Sequence, residues 1–353
     1  MDARATSVLL LTVGDHNSPG TRLRSLAYVP YLEDRGFEVR VLVPLGSDPN
    51  RVRRRRLLRP VELVRDLAAA SRADVVVVYR KTFPGATAKM LRRAASKIVY
   101  EYDDAVYLPS PDEPQGVENL ARYRRNFLST VAAADLVVAG NHHLAREATA
   151  RNIEVLPTGV DLSIFEPGLP RTEREPCVIG WIGTAGNLPQ WTALMPVFER
   201  VAAENPAVRF KIVSNGEPPR SDLPVVFERF TIDREAACLA DFDIGLMPLE
   251  DTPWNRGKCS YKALQCMAMG MPVVVSPVGM NREVVEDGVS GFFASTEDEW
   301  LSALLRMAGD SKLRSQLGGA ARRVVEASFS LEQIGAKMAD LIEELVTECA
   351  GSR

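Results

Sequence analysis

GKCSYKALQCMAMGMPVVVSPVGMNREVVEDGVSG, residues Gly257 to Gly291, passes from a helical to an extended pattern and back again. An amphipathic helix ends at Gly270, and the strand Pro272–Ser276 that follows is apolar on both faces, as a strand inside a parallel sheet should be. The loop Pro277–Asn281 then opens a second helix before Asp287-Gly288. Lys258, Lys262 and Gln265 are four and three residues apart, so the spacing predicts one polar face carrying all three. The loop lies outside the carboxyl end of its strand, where open α/β sheets bind ligands. Two cations, a carboxamide and bare backbone N–H groups there suit a diphosphate and a ribose.

Working outward, short β-branched runs alternate with helical patterns along the whole chain. Strands are expected at Ser7–Val13, Glu38–Val43, Asp74–Tyr79, Lys97–Tyr102, Asp135–Ala139 and Ile153–Leu156. Helices are expected at Thr21–Arg35 and Ala86–Ala95. After the Pro/Glu/Arg-rich linker Glu166–Pro176 the pattern restarts, with strands Val178–Ile182, Arg209–Ser214, Val225–Phe227 and Ile244–Met247 and a helix Gln190–Glu204. Helices Glu297–Gly309, Ser311–Ser328 and Leu331–Cys349 close the chain. The fold class is α/β, built from right-handed βαβ units in parallel sheets.

The stretch Gly257–Gly291 resembles the donor-binding region of the family 4, GT-B-fold retaining glycosyltransferases (glycosyl transferases group 1). That family carries two glutamates separated by seven residues ahead of a Gly-x-Pro turn. Aligned on Met269-Gly270-Met271-Pro272, these positions are Gly257 and Gln265 here, and neither is acidic. The family's Gly-Gly-x-x-Glu is Gly279-Met280-Asn281-Arg282-Glu283, which keeps its glutamate. Pro157-Thr158-Gly159-Val160-Asp161, with Phe165 after it, matches the family's inter-domain segment. The resemblance implies two doubly wound Rossmann-like domains facing a central cleft. It divides them as 1–166 for the acceptor and 177–330 for the nucleotide-sugar, with a helix in 331–353 crossing back to the first.

Composition bounds the rest. A chain of 353 residues with 46% hydrophobic and 25% charged residues and net charge −3 suits two globular domains, not a nucleic-acid binder. No apolar run is long enough to span a membrane, and the amino-terminal residues lack a signal peptide's pattern, so a cytoplasmic protein is expected. The five cysteines show no metal or disulfide spacing, and Cys259 and Cys266, a heptad apart, read as packing residues of one helix. His142-His143 reads as structural, and no metal is expected. One block is strongly basic: Arg51–Arg56 with Arg59 reads as a solvated loop or a peripheral contact with an anionic membrane.

Other candidates sit at strand ends. Gly183, Thr184 and Asn187 lie in a small-residue cradle for phosphate oxygens. Gly14–Thr21 ends at a helix start, where free N–H groups bind anions. Asp103 and Asp104 follow a strand, where alternation would let only one face a site. The resemblance gives these residues roles. Asp103 would stand near the reacting sugar, with Lys258 and Lys262 meeting the leaving group. Asn215 and Phe230 would hold the base. Gln265, Gly279, Met280, Asn281 and Glu283 would complete the donor site, and Pro19, Gly20, Thr21, Arg22 and Asp104 would face the acceptor. It implies transfer of a hexosyl-type group from a nucleotide-diphosphate sugar to a glycan, lipid-linked or small-molecule hydroxyl, with retention and without a cofactor. A GT-B enzyme of other chemistry, such as an epimerase, and a binder without turnover stay open.

Overall fold

The computed structural model describes residues 4–45, 52–168, 176–217 and 220–347, with the side chains of 52–57 left out. The linker residues 169–175, Arg51 and Cys349 therefore lie outside the described residues. The described chain forms two compact units. The first holds the described residues up to Gly159, then Gly257–Cys259 and the chain from Leu331. The second holds those of Val160–Arg256 and Ser260–Ser330.

In the first unit, β1 (Ser7–Leu11), β2 (Glu38–Leu42), β3 (Val75–Tyr79), β4 (Lys97–Tyr102), β5 (Leu136–Ala139) and β6 (Ile153–Val155) form one sheet in the order β2-β1-β3-β4-β5-β6. Every pairing is parallel. β3 reads VVVVY and is buried throughout, which matches a strand covered on both faces. The helix Leu331–Thr347 places Ile334, Met338, Ile342 and Leu345 in the same core as Tyr28, Leu32 and Val77. Four large apolar side chains so buried are worth roughly 6–12 kcal/mol gross, which accounts for where this helix sits.

The second unit repeats the plan. β7 (Val178–Gly183), β8 (Arg209–Ser214), β9 (Val225–Arg229), β10 (Ile244–Met247), β11 (Val273–Val275) and β12 (Gly291–Phe293) form a parallel sheet ordered β12-β11-β10-β7-β8-β9. Its core stacks Trp181, Trp191, Phe198 and Phe210, with ring centroids of Trp191 and Phe198 4.5 Å apart. Strand order reverses between β1 and β3 in the first sheet and between β7 and β10 in the second. Ligands bind doubly wound sheets at the carboxyl edge of such a reversal.

Several expected helices differ. Thr21–Arg35 breaks into a π-helical turn Thr21–Ser25, a 3-10 turn Leu26–Tyr28 and the α-helix Val29–Asp34, because Pro30 has no N–H to continue the ladder. Gln190–Glu204 is two helices, Leu188–Thr192 and Met195–Glu204, with Pro196 at the start of the second. The basic run is no loop: helix Val52–Ala70 runs through it, with Pro60 inside. Helix Val117–Val131 and strand β12 were not expected. At β12, Gly291 is needed because a Cβ there would lie 2.4 Å from the Val273 carbonyl oxygen.

Candidate functional site

The helix of the donor-like segment spans Tyr261–Ala268, starting three residues beyond Lys258. The cause is Ser260, whose φ of +52° is left-handed, a conformation a right-handed helix cannot pass through. Its hydroxyl donates to Asn281 Oδ1 at 2.7 Å, which ties the turn to the loop after β11. The expected face of Lys258, Lys262 and Gln265 therefore does not exist, and Cys259 leaves the helix with Lys258. Lys262, in the first helical turn, stays in the second unit, whereas Lys258 belongs to the first.

At the second switch point Lys262 meets an indole ring and a chain of neutral polar groups. Its Nζ stands 4.8 Å from the Trp181 ring centroid, inside cation–π range, and donates to Gln190 Oε1 at 3.2 Å. Gln190 Nε2 reaches Asn187 Oδ1 at 3.4 Å, and Asn187 Nδ2 donates to Thr184 Oγ1 at 3.0 Å. Lysine and hydroxyl are thus linked along the turn that follows β7. Gly183 must be glycine, since a Cβ there would fall 2.3 Å from the Trp181 ring and 3.1 Å from Lys262 Nζ. Asn215, exposed after β8, accepts from the Ala185 N–H at 2.8 Å and fixes this turn. Phe230 extends the β8–β9 pairing by donating its N–H to the Ser214 carbonyl at 3.0 Å and is partly exposed.

Other residues named from sequence play internal parts. Gln265 is buried, and its amide donates to Glu235 Oε1 at 2.7 Å. Asn281 is fully buried, donating to the Ser276 carbonyl at 2.9 Å, and Met280 is buried beside it. Gly279 has φ +53°, and a Cβ would meet the Arg256 carbonyl oxygen at 2.6 Å. Glu283 is exposed on the short helix Asn281–Val284.

The first switch point is a charged cluster. Arg24, with no exposed surface, donates to Glu101 Oε1 at 2.9 Å and to the Leu156 carbonyl at 2.7 Å. Arg24 Nη2 and Glu101 Oε2 are buried without a hydrogen-bond partner. Burial pushes the Glu101 carboxyl up to about 7, against the pull of Arg24. Asp103 accepts from Tyr79 Oη at 2.8 Å and from Arg80 Nε, while Arg80 Nη2 lies 3.3 Å from Asp104. Burial opposes ionisation of Asp103, but Arg80, Arg24 and the Tyr79 hydroxyl together outweigh it and hold the carboxyl below its ordinary value. Asp103 and Asp104 lie past the end of β4 in a bend, so strand alternation does not separate them, and Arg80 grips both. Lys258 Nζ completes the set at 3.0 Å from Asp104 Oδ1. Asn141 caps a helix through the Leu144 N–H at 2.8 Å and donates to the carbonyls of Gly257 and Lys258 at 3.3 and 3.2 Å.

Of the acceptor-loop residues, Gly20 packs so closely that a Cβ would lie 2.2 Å from Tyr79 Oη. Thr21 is buried, its hydroxyl donating to the Gly14 carbonyl at 3.2 Å, so it shapes the loop. Pro19 is exposed and Arg22 partly so. Sequence reading missed Arg80, Trp181 and Gln190. Arg80 carried a signal, as the first charged residue after VVVVY, and its φ of +55° marks a turn held by its surroundings. The charge block at Arg51–Arg56 has its side chains outside the described residues.

Fold and switch points together define a two-unit α/β protein of the GT-B type. Residues 176–310 match the family model of Glycosyl transferases group 1, the group that Gly257–Gly291 resembles. Curated relatives include a D-inositol 3-phosphate glycosyltransferase of Geodermatophilus obscurus, 28% identical over 201 residues, covering 48% of this chain and 44% of that protein. Its counterpart from Kribbella flavida is 27% identical over 222 residues, 54% of this chain and 52% of that protein. The chain thus spans about half the length of the curated relatives it matches. Among solved structures, sucrose-phosphate synthase from Thermosynechococcus elongatus superposes with TM-score 0.72 at 17% identity, over 97% of this chain and 100% of that one. Anabaena HepE, solved with UDP and glucose, gives 0.69 at 15% identity over 96% and 100%. These likenesses establish the fold.

Proposed function

We propose that the chain is a glycosyltransferase that moves a hexosyl-type group from a nucleotide-diphosphate sugar to an acceptor hydroxyl, with retention at the anomeric carbon and without a divalent metal or cofactor. The observation that carries this is Lys262, set over Trp181 beside Gly183 at the switch point of the second sheet. A positive charge there, among hydroxyl, carboxamide and glycine, suits a diphosphate whose bond to the sugar is breaking. In this reading Gly183, Thr184, Asn187 and Lys262 take the diphosphate, while Asn215 and Phe230 flank the base. Met280 and Asn281 shape the loop from beneath, with Gly279 and Glu283 nearer the donor. Gln265, held by Glu235, positions the helix. The first unit presents Pro19, Gly20, Arg22 and Asp103 to the acceptor, with Asp104 holding Lys258. As the C1–O bond to phosphate breaks, the acceptor oxygen bonds to C1 on the same face, and its proton passes to the departing diphosphate.

The test is thermal-shift titration with UDP, GDP, ADP and dTDP and then their sugars. One nucleotide should raise the melting midpoint, and Lys262→Ala should abolish that rise. If none of the four stabilises the protein, the reading fails. A binder without turnover is the second reading, favoured by Gly257, which has no side chain and where a Cβ would lie 3.0 Å from Ala105. Single-turnover assays with the stabilising sugar nucleotide separate the two.

A further inference from the structure

We propose that helix Val52–Ala70 is a docking surface for an anionic lipid bilayer, an inference independent of the transfer reaction. Along its described part the exposed residues include Pro60, Val61, Val64 and Ala68, spaced to share one face. Val61 is 58% exposed and Val64 68%. The acidic side chains turn the other way: Lys81 Nζ holds Glu62 at 3.1 Å and Asp66 at 2.9 Å, and all three are largely buried. A surface helix ordinarily shows charge to water and apolar groups to the core. Here that pattern is broken, with an apolar strip outward and the acidic side chains turned inward beside Leu63 and Leu67.

The charge around the strip selects the occupant. Residues 51–97 contain fourteen Lys and Arg against three Asp and Glu, and of these Arg65, Arg80, Lys81 and Arg92 are taken up in ion pairs. Arg59 is exposed one residue before the strip. The helix Gly85–Ala94 packs beside this one and adds exposed Lys89, Met90 and Arg93. Exposed apolar side chains with exposed cations on the same helix and its neighbour match acyl chains beneath anionic headgroups, the arrangement of interfacial helices. A neutral protein surface would match the apolar strip but would leave the exposed cations beside it without anions. No described helix is long and apolar enough to cross a membrane, so the contact is peripheral.

The experiment is co-sedimentation of the full chain with vesicles of phosphatidylcholine alone or mixed with phosphatidylglycerol, at low and high salt. The protein should pellet with the anionic vesicles at low salt and several-fold less at high salt. Val61→Asp with Val64→Asp should reduce that binding about tenfold with an unchanged melting midpoint, since both sites are exposed. Should that pair unfold the protein, Arg59→Glu with Arg93→Glu provides the same test by charge. Equal binding to both vesicle types, binding that ignores salt, or variants that still pellet would overturn the proposal. So would a salt-resistant dimer that the aspartates dissociate, because the strip would then be covered by a second copy.

Discussion

In the first sheet the side chains at the switch point are charged and answer one another: Arg24 with Glu101, Arg80 with Asp103 and Asp104, Lys258 with Asp104. In the second, Thr184, Asn187 and Gln190 lead through hydrogen bonds to Lys262, which stands over an indole ring. The same topology thus yields a network of ion pairs in one unit and a chain of neutral hydrogen-bonding groups ending at a lysine in the other. Buried charges that balance each other stabilise one loop arrangement and lose heavily when one member is removed. Hydrogen bonds among neutral groups are individually weaker, and a lysine at their end can add a charge-assisted bond to an arriving anion. Mutations should therefore affect stability in the first unit and ligand binding in the second.

The largest effect is expected from Arg24→Met, which leaves Glu101 buried without its partner. Denaturant unfolding should show a loss of about 3–5 kcal/mol, and a loss under 1 kcal/mol would erase the contrast between the units. A related effect is pH dependence. The Glu101 carboxyl is raised to about 7 in the folded state from an ordinary 4.5, so the folded protein binds this proton more tightly. Its contribution is complete below about pH 4.5 and is lost as pH rises towards 7, on the order of 3 kcal/mol in all. Asp103 runs the other way, its stabilisation disappearing only as pH falls below its ordinary range. Glu101→Gln should flatten the slope between pH 5 and pH 7 in the same unfolding measurement, bounds that follow from the raised carboxyl.

Asn141→Ala should cost about 2 kcal/mol, from a lost helix cap and two carbonyls left without their donor. It should also weaken the hold on Gly257 and Lys258, seen as faster amide exchange there. Lys262→Ala sharpens the comparison from the other side. Its stability should stay within about 0.5 kcal/mol of the parent, while affinity for the stabilising nucleotide diphosphate falls about tenfold or more. Calorimetric titration measures the second quantity. An unfolding loss as large as that of Arg24→Met would show that the two switch points do not differ in kind.

How much of this was legible varies by element. All strands but β12 were readable to within about two residues, because runs such as VVVVY at Val75–Tyr79 match strands that bury both faces inside a parallel sheet. Helices Glu297–Gly309 and Ser311–Ser328 were equally clear, since Asp310 caps the second between unbroken 3.6-residue patterns. The breaks at Pro30 and Pro196 had a signal that the periodic pattern masked. The start of the donor-like helix had none nearby, because the left-handed turn at Ser260 is tied to Asn281, 21 residues on. Arg24 and Glu101 meet across 77 residues. A glutamate inside KIVYEY demands a buried partner, but nothing local names it.

The amino-acid order alone determined that there are two parallel sheets, where each turns to its helices, and which loops gather at their carboxyl edges. These follow from periodic burial, a property of neighbouring residues. Tertiary structure alone decided that Lys258 joins Asp104 while Lys262, four residues later, settles over Trp181. The partner of a charged side chain depends on which distant backbone the topology carries to within a few ångströms, and one left-handed residue between the two lysines was enough to send them apart.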